Sequence, residues 1–531
     1  MTSQWVQMKV LVSDSLSQSG LDLLYHQANL TVDLKTKLSR TELVNLISDY
    51  DALIIRSDTQ VTAEVIRAAK NLKVIGRAGA GIDNIDLGAA TQQGILVFNT
   101  PAGNTVAAAE HTITLMLALS RHVLPAGMSL RNGEWSRQHF MGGELYRKTF
   151  GIIGVGRIGS EVIRRLQAFG MTIIAYDPYI SVEAAERLGI KLVERENLLQ
   201  EADYISIHVP LTTETHHSIS SREFRLMKSN CRLINCARGG IIDEEALYVA
   251  LKEKQIASAA LDVFEHEPPT DYRLTALDNF LATPHIGAST SEAQELVAIE
   301  VAQKVIDALY HLPVENAVNR PNMDQFEVLQ PYLKLAERIG SFQAQTVEGQ
   351  ISEIRIRFNG ELFKKDVTLI SVAVQVGLLK PILQDNVNYV NAPLRIQQRG
   401  IRVSETKHST QDQFTNSLAV TVVTDRAERL VEGTVSSTDS IRLVRIDDIH
   451  LHAEPAGHMI VIYNQDRPGM IGILGTTLGN HGINIADMAV GRKEIGSHAL
   501  MLINIDSKVP RRVMSQLEAL PTIMFVKQIE F

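Results

Sequence analysis

The stretch Phe150-Gly151-Ile152-Ile153-Gly154-Val155-Gly156-Arg157-Ile158-Gly159 passes from a short apolar run into a cluster of glycines. Ile158, Val162, Leu166 and Phe169 then recur at helical spacing until Gly170 ends the pattern, so the glycines lie between a strand and an amphipathic helix. In such a turn Gly154 permits the tight bend, Gly156 lets a pyrophosphate approach the backbone, and Gly159 lets helix and strand pack closely. The helix start adds unpaired N–H donors and the positive end of its dipole. The following strand pattern ends at Asp177, placed where a carboxylate accepts hydrogen bonds from the adenosine ribose. A glycine pattern alone is as readily a plain turn, but strand, helix and Asp177 in register point to a dinucleotide. Pro178 and Tyr179 follow where an arginine would meet a 2′-phosphate, and Asp177 would repel that phosphate, so the expected cofactor is NAD.

Working outward, strand-like runs continue at Thr172 to Tyr176, Tyr204 to Ile207, Arg232 to Ile234, Ala259 to Val263 and Phe280 to Ala282. An earlier alternation runs from Lys9 to Thr100, with apolar runs at Val10 to Val12, Ala52 to Ile55, Val74 to Ile75 and Ile95 to Phe98 and a helix pattern over Thr62 to Ala69. Each is βα repetition around a parallel sheet. Long helical patterns at Thr105 to His122 and Ser291 to His311 bracket the nucleotide-binding part, and two crossings would make the first domain discontinuous. Asn316 to Pro321 reads as a linker. The final stretch reads strand (Met459 to Tyr463), helix (Gly469 to Asn480), strands (Ile483 to Val490, His498 to Ile505), helix (Pro510 to Leu520) and strand (Met524 to Phe531). That βαββαβ order is ferredoxin-like.

Composition narrows the function classes. With 45% hydrophobic and 21% charged residues the 531-residue chain has the balance of a folded, soluble protein of several domains. A net charge of -8 without dense Lys/Arg runs argues against a nucleic-acid partner. Cys231 and Cys236 flank one strand pattern and have no ligand cluster beside them, so neither a disulfide scaffold nor a metal is expected. Met1 to Val10 lacks a secretory pattern and no long uninterrupted apolar span occurs, so the expected compartment is the cytoplasm, away from any membrane.

Three polar groups fall near successive strand ends of the nucleotide-binding part: Arg238 in Asn235-Cys236-Ala237-Arg238-Gly239-Gly240, Glu267 in Glu265-His266-Glu267-Pro268, and His285 in Thr283-Pro284-His285-Ile286-Gly287-Ala288. Carboxyl ends of strands are where such sheets bind ligands. Spacing alone leaves Glu265 and His266 open as the acid/base pair. In the first domain Arg56 and Arg77 follow the runs Leu53 to Ile55 and Val74 to Gly76, which implies an anionic substrate.

These motifs, in this order over roughly residues 8 to 316, resemble the D-isomer-specific 2-hydroxyacid dehydrogenase family. The resemblance implies that His285 takes the substrate hydroxyl proton while hydride leaves C2 for the nicotinamide, that Glu267 holds the other imidazole nitrogen, and that Arg238 pairs with the substrate carboxylate. It implies further NAD contacts at Arg157, Ile158, Val209, Cys236, Ala237, Arg238, Asp262, His285, Gly287 and Ala288. Arg56, Ser57, Arg77, Gly79 and Asn104 resemble substrate positions of the phosphoglycerate dehydrogenase branch. The stretch Trp135-Ser136-Arg137 resembles the segment by which that branch reaches a neighbouring subunit, which implies a homodimer or homotetramer.

A simple family member would end near Asn316, whereas this chain continues. Tyr389-Val390-Asn391-Ala392-Pro393 resembles the intervening allosteric domain of the branch's long members, and the terminal module resembles an ACT domain. The expected architecture is a Rossmann-type NAD-binding domain (105–289) inserted in a flavodoxin-like substrate domain (1–104 and 290–318). An α+β intervening domain (319–455) and an ACT domain (456–531) follow. The implied reaction is NAD-dependent oxidation of 3-phospho-D-glycerate to 3-phosphooxypyruvate, opening L-serine biosynthesis. Asp466 and Asn484 would hold an L-serine effector, although Asn464 departs from relatives that carry an aromatic there. Reduction of hydroxypyruvate, glyoxylate or 2-oxoglutarate is the same-class alternative; an NAD-sensing corepressor-like binding protein is the different-class one.

Overall fold

A computed structural model describes residues 7–321, 326–360, 366–383, 387–408 and 414–531. The stretch Met1 to Val10, read as lacking a secretory pattern, therefore lies mostly outside the described residues.

The first sheet comprises β1 (Met8–Val12), β2 (Leu30–Leu34), β3 (Ala52–Ile55), β4 (Val74–Arg77) and β5 (Leu96–Asn99), all parallel in the order β2-β1-β3-β4-β5. Its middle strand β3, Ala-Leu-Ile-Ile, is apolar and buried at every position because both faces are covered. Val10, Val12 and Ile54 pack with Val297, Val301 and Val305 of the helix Ser291–Leu309, while Leu11, Leu53 and Ile55 pack with Val65 and Ile66 on the opposite face. The edge strand β2, with its mixed burial, was not legible as an apolar run.

The second sheet comprises β6 (Thr149–Ile153), β7 (Thr172–Tyr176), β8 (Lys191–Leu192), β9 (Tyr204–Ile207), β10 (Arg232–Asn235), β11 (Ser258–Leu261) and β12 (Phe280–Ala282), parallel in the order β12-β11-β10-β9-β6-β7-β8. The order reverses between β9 and β6, and at such a switch point the loops diverge to leave a ligand crevice. The helix Thr105–Arg121 enters this layer and buries Ile113 and Met116 against Phe150 and Ile152. The helix Ser291–Leu309 returns the chain to the first sheet, so the nucleotide-binding layer is an insertion. β11 stops at Leu261 rather than Val263, which makes Asp262 a loop residue.

Asn316 to Pro321 is not a free linker. Ala317 bridges Phe98, the Val318 N–H donates to the Val97 carbonyl at 2.9 Å, and Asn319 accepts from the Val97 N–H and donates to the Ile95 carbonyl. The polar composition that suggested a linker instead completes the β5 edge.

Beyond it, β13 (Ile351–Gly360), β14 (Arg402–His408), β15 (Asn416–Thr424), β16 (Glu428–Val435), β17 (Ile441–Ile446) and β18 (Ile449–Ala453) form a sheet in the order β14-β13-β15-β16-β17-β18. The helices Phe326–Thr346 and Thr368–Leu383 share its core. The last sheet, from β19 (His458–Gln465), β20 (Ile485–Arg492), β21 (His498–Ile505) and β22 (Ile523–Glu530), runs β20-β21-β19-β22 and is antiparallel. Met459 and Val461 of β19 join the preceding module's core, whereas Ile460 and Ile462 face the terminal module's helices. This sheet is covered on both faces, which explains the unbroken apolar run in β19.

Among the described residues no single helix is long and apolar enough to cross a membrane. The pair Thr105–Arg121 and Val123–Arg131 reaches that composition only together, across a 63° bend.

Candidate active site

The glycine turn has the geometry its spacing predicts. Gly154 has φ +94, a conformation L side chains rarely adopt, and a Cβ there would stand 2.6 Å from the His208 carbonyl oxygen and against Val209. A Cβ at Gly159 would collide with the Gly154 carbonyl oxygen, whereas at Gly156 nothing lies within 4 Å. That open side of Gly156 precedes the helix Arg157–Ala168, whose start has no side-chain cap. Its first-turn N–H groups are thus available to a phosphate, and these residues fit a dinucleotide. Asp177 follows β7, with Oδ2 accepting the Val155 N–H at 2.7 Å and Oδ1 accepting the Tyr179 N–H at 2.8 Å. The carboxylate braces the glycine turn and keeps lone pairs for a ribose.

Cys236, Ala237 and Arg238 leave β10 in a loop clamped by Asn235, which accepts from the Ala237 N–H at 2.9 Å and donates to the Arg238 carbonyl at 2.8 Å. Burial pushes the Cys236 thiol up to about 12. Asp262, 1% exposed, accepts from Thr283 Oγ1 at 2.6 Å and from the Ile286 and Gly287 N–H groups at 2.8 Å, with His111 Nε2 3.3 Å away. Burial alone would raise its carboxyl, but the hydrogen bonds from His111, Thr283, Ile286 and Gly287 outweigh it and hold the group below the usual range. Expected as a cofactor contact, Asp262 spends both oxygens on fixing the loop that bears His285.

His285 Nδ1 lies 2.6 Å from Glu267 Oε2, and Glu267 Oε1 accepts the Phe264 N–H at 3.0 Å. Burial raises the Glu267 carboxyl, yet the His285 contact and the Phe264 N–H more than offset this and keep it low. One imidazole nitrogen is thereby committed and Nε2 remains for a ligand. His285 has φ +53, a sparsely populated conformation for a side chain of this size that the Asp262 clamp sustains. Glu265 instead meets His217 at 2.7 Å, and His266 lines a separate hollow with Tyr248 and Arg273. The open choice among these neighbours resolves to Glu267 as the partner of His285.

Between the two parallel sheets lies a cleft of about 660 Å³ lined by Arg56, Ser57, Arg77, Gly79, Asn104, Arg238, Glu267, His285 and Ala288. The sequence-predicted substrate positions of the first domain thus meet the acid/base pair. Burial pushes the Arg77 guanidinium down to about 10, with Arg238 and Arg56 adding repulsion that Asp83 and Asp14 oppose. Arg77 Nε and Asn104 Oδ1 are buried polar atoms without a partner. Such groups cost free energy unless a ligand answers them, and an anion suits the guanidinium.

Arg137 is exposed and outside this cleft. Asp466 and Asn484 do not meet within the chain. Asp466 accepts from Arg492 and the Gly496 N–H beside the start of β21, whereas Asn484 donates to Asp506 beyond its end. β19 and β20 run the same way with β21 antiparallel between them, so the end of one and the start of the other lie at opposite ends of the sheet. Asp466 and Asn484, both expected to hold an amino-acid effector, are thus not brought together within the chain. Asn464 is fully buried, with Oδ1 unpartnered.

Four contributors escaped the sequence reading: Asp14, Asp83, Asn84 and His111. Asp14 accepts the Arg56 N–H at 2.5 Å, Asp83 accepts Arg238 Nε at 2.9 Å and Asn84 donates to the Arg56 carbonyl at 2.7 Å. The usable signal was Gly79-Ala80-Gly81-Ile82-Asp83-Asn84, a glycine-rich loop directly after a strand.

Residues 113–287 match the NAD-binding domain of the D-isomer-specific 2-hydroxyacid dehydrogenases, 328–447 the D-3-phosphoglycerate dehydrogenase intervening domain, and 458–522 the ACT domain. The chain is 44% identical to D-3-phosphoglycerate dehydrogenase of Synechocystis sp., covering 96% of this chain and 92% of that one. It is also 44% identical to the Methanocaldococcus jannaschii D-3-phosphoglycerate dehydrogenase, over 98% and 99% of the two chains. Among solved structures, Escherichia coli D-lactate dehydrogenase superposes with a TM-score of 0.53 at 31% identity, over 59% of this chain and 100% of that one. A glyoxylate reductase from Paecilomyes thermophila gives 0.55 at 31% identity, over 59% and 98%. With its NAD-binding, intervening and ACT parts in one chain, this protein belongs to the D-3-phosphoglycerate dehydrogenase family.

Proposed function

We propose that the chain oxidises 3-phospho-D-glycerate to 3-phosphooxypyruvate with NAD. The observation that carries this reading is the part-buried Arg77, its Nε without a partner, beside Arg56 and Arg238 in the same cleft as the Glu267–His285 pair. A substrate with a carboxylate at one end and a phosphate at the other answers this charge better than an uncharged-tail 2-hydroxy acid. Arg238 takes the carboxylate and orients C2, while Arg56, Ser57, Arg77, Gly79 and Asn104 receive the phosphate end. His285 Nε2 accepts the C2 hydroxyl proton, and Glu267 stabilises the resulting imidazolium. Bound NAD supplies the oxidant, receiving the C2 hydrogen with its electron pair. Gly154, Gly156, Arg157, Ile158, Gly159 and Asp177 hold its adenosine and pyrophosphate, and Val209, Cys236, Ala237, Gly287 and Ala288 flank the rest, with Asp262 supporting that wall.

The substrate domain comprises 1–104 and 290–318, the NAD-binding domain 105–289, the intervening domain 319–455 and the ACT domain 456–531. The working form is a homodimer or homotetramer. Supporting this, Val123, Leu124, Met128, Leu130, Trp135 and Met141 are all more than half exposed, an apolar face that a second copy would cover. Arg137 beside it would then reach the partner's cleft. L-serine is the effector, recognised at the ACT domain with Asp466 and Asn484 as its contacts. The enzyme works in the cytoplasm, consistent with its unpaired thiols Cys231 and Cys236.

The test is NADH formation with 3-phospho-D-glycerate against D-glycerate, hydroxypyruvate and glyoxylate in their respective directions, with His285→Ala alongside. Preference for the phosphorylated substrate is expected in the wild type, with turnover lost in the variant. Equal efficiency with D-glycerate would remove the phosphate assignment.

A further inference from the structure

The cleft arginines come from separate places, Arg56 after β3, Arg77 at the end of β4, and Arg238 after β10 in the other sheet. One loop, residues 78–86, touches the setting of all three. Arg77 leads directly into it, and Gly79 is pinned by donating its N–H to Thr100 Oγ1 at 2.7 Å and accepting the Thr100 N–H at 3.0 Å. Asn84 Nδ2 donates to the Arg56 and Thr59 carbonyls, both at 2.7 Å. Asp83 Oδ2 accepts Arg238 Nε at 2.9 Å, a bond between the two sheets' loops. Gly81 lies against Arg238 Nη2 so closely that a Cβ there would overlap it.

Arg238 Nη1 also donates to the Ala237 carbonyl at 2.6 Å. With Nε and one Nη1 proton committed, the other Nη protons remain for a ligand, and a planar guanidinium held at Nε cannot swing freely. Asp83 also opposes the repulsion that Arg238 exerts on Arg77. We propose that Asp83 is a positioning residue for the oxidation above, aiming Arg238 across the cleft at the substrate carboxylate. This inference rests on the functional reading.

The experiment compares Asp83→Ala and Asp83→Asn in the full chain by steady-state kinetics with 3-phospho-D-glycerate, together with NADH binding by fluorescence. Because Asp83 is 61% exposed, the effect belongs at the low end for charge-assisted bonds, roughly tenfold. The expected result is a roughly tenfold lower kcat/KM in Asp83→Ala, carried mainly by KM, with NADH affinity unchanged. Asp83→Asn, which keeps an acceptor oxygen, recovers part of the loss, and Asp83→Ala adds little to Arg238→Lys. Wild-type kcat/KM in both variants would overturn the proposal, as would a lower KM, which would make Asp83 a competitor of the substrate carboxylate. An equal loss of NADH affinity would also overturn it. Turnover by the wild type separates these outcomes from failure of the functional reading, in which the wild type itself would not oxidise 3-phospho-D-glycerate.

Discussion

Replacing Arg77 by Met should stabilise the free protein while disabling it. The guanidinium is pushed from an ordinary 12.5 down to about 10 by burial, then by Arg238 and Arg56. At about 1.36 kcal/mol per factor of ten in the proton equilibrium, that difference is a folding penalty of roughly 3 kcal/mol. Below pH 10 the group is charged in both folded and unfolded chains, so the penalty is complete at neutral pH and fades only as pH rises through about 10. Methionine keeps most of the stem's contacts, and with some packing lost the net gain is about 1–2 kcal/mol, a rise of a few degrees in Tm. Substrate binding should move the other way, with kcat/KM falling by about a hundredfold or more, since losing one partner of a buried charge pair costs roughly 2–5 kcal/mol. Thermal melting with and without 3-phospho-D-glycerate, in the presence of NADH, reads both effects. Wild type should be stabilised by substrate through mass action, and the variant should start higher and respond little. A variant that melts lower without ligand and keeps the substrate-induced shift would refute the account of Arg77 as a strained anion receptor.

Glu267→Gln should lower kcat by roughly 10- to 100-fold, because the 2.6 Å contact with His285 loses its charge. The Glu267 carboxyl is held below its ordinary 4.5, so its stabilising contribution is present above that value and is lost as pH falls through the lower folded one; acid unfolding curves of the variant should be correspondingly flatter. Gly159→Ala would drive a Cβ into the Gly154 carbonyl. It should weaken NADH binding at least tenfold and cost about 1–3 kcal/mol of stability, read by fluorescence titration and urea unfolding. Burial pushes both Cys231 and Cys236 up to about 12, so a thiol reagent at pH 8 should label neither until the chain is unfolded.

Chain order and local periodicity were enough to reveal both parallel sheets, the insertion of one in the other, the ferredoxin-like terminus and the glycine turn. These depend on contacts close in sequence: Gly154, Gly156 and Gly159 act within one strand-turn-helix, and the apolar runs of β1, β3, β6 and β9 report burial directly. Arg238, Glu267 and His285 stood out as candidates because each sits in a distinctive motif after a strand, but only the 2.6 Å contact with His285 set Glu267 apart from Glu265 and His266. Tertiary structure decided what crosses between elements. Asp83 reaches Arg238 across 155 residues where the two sheets face each other, and His111 reaches Thr283 across 172 within the second layer; no local pattern encodes partners so far apart in the chain. It also turned Asn316 to Pro321 from a linker into an edge of β5, and parted Asp466 from Asn484 by placing β21 between their strands. A side chain's type and neighbours in sequence state which interaction it can make; the order of strands in the sheet decides with whom it makes it.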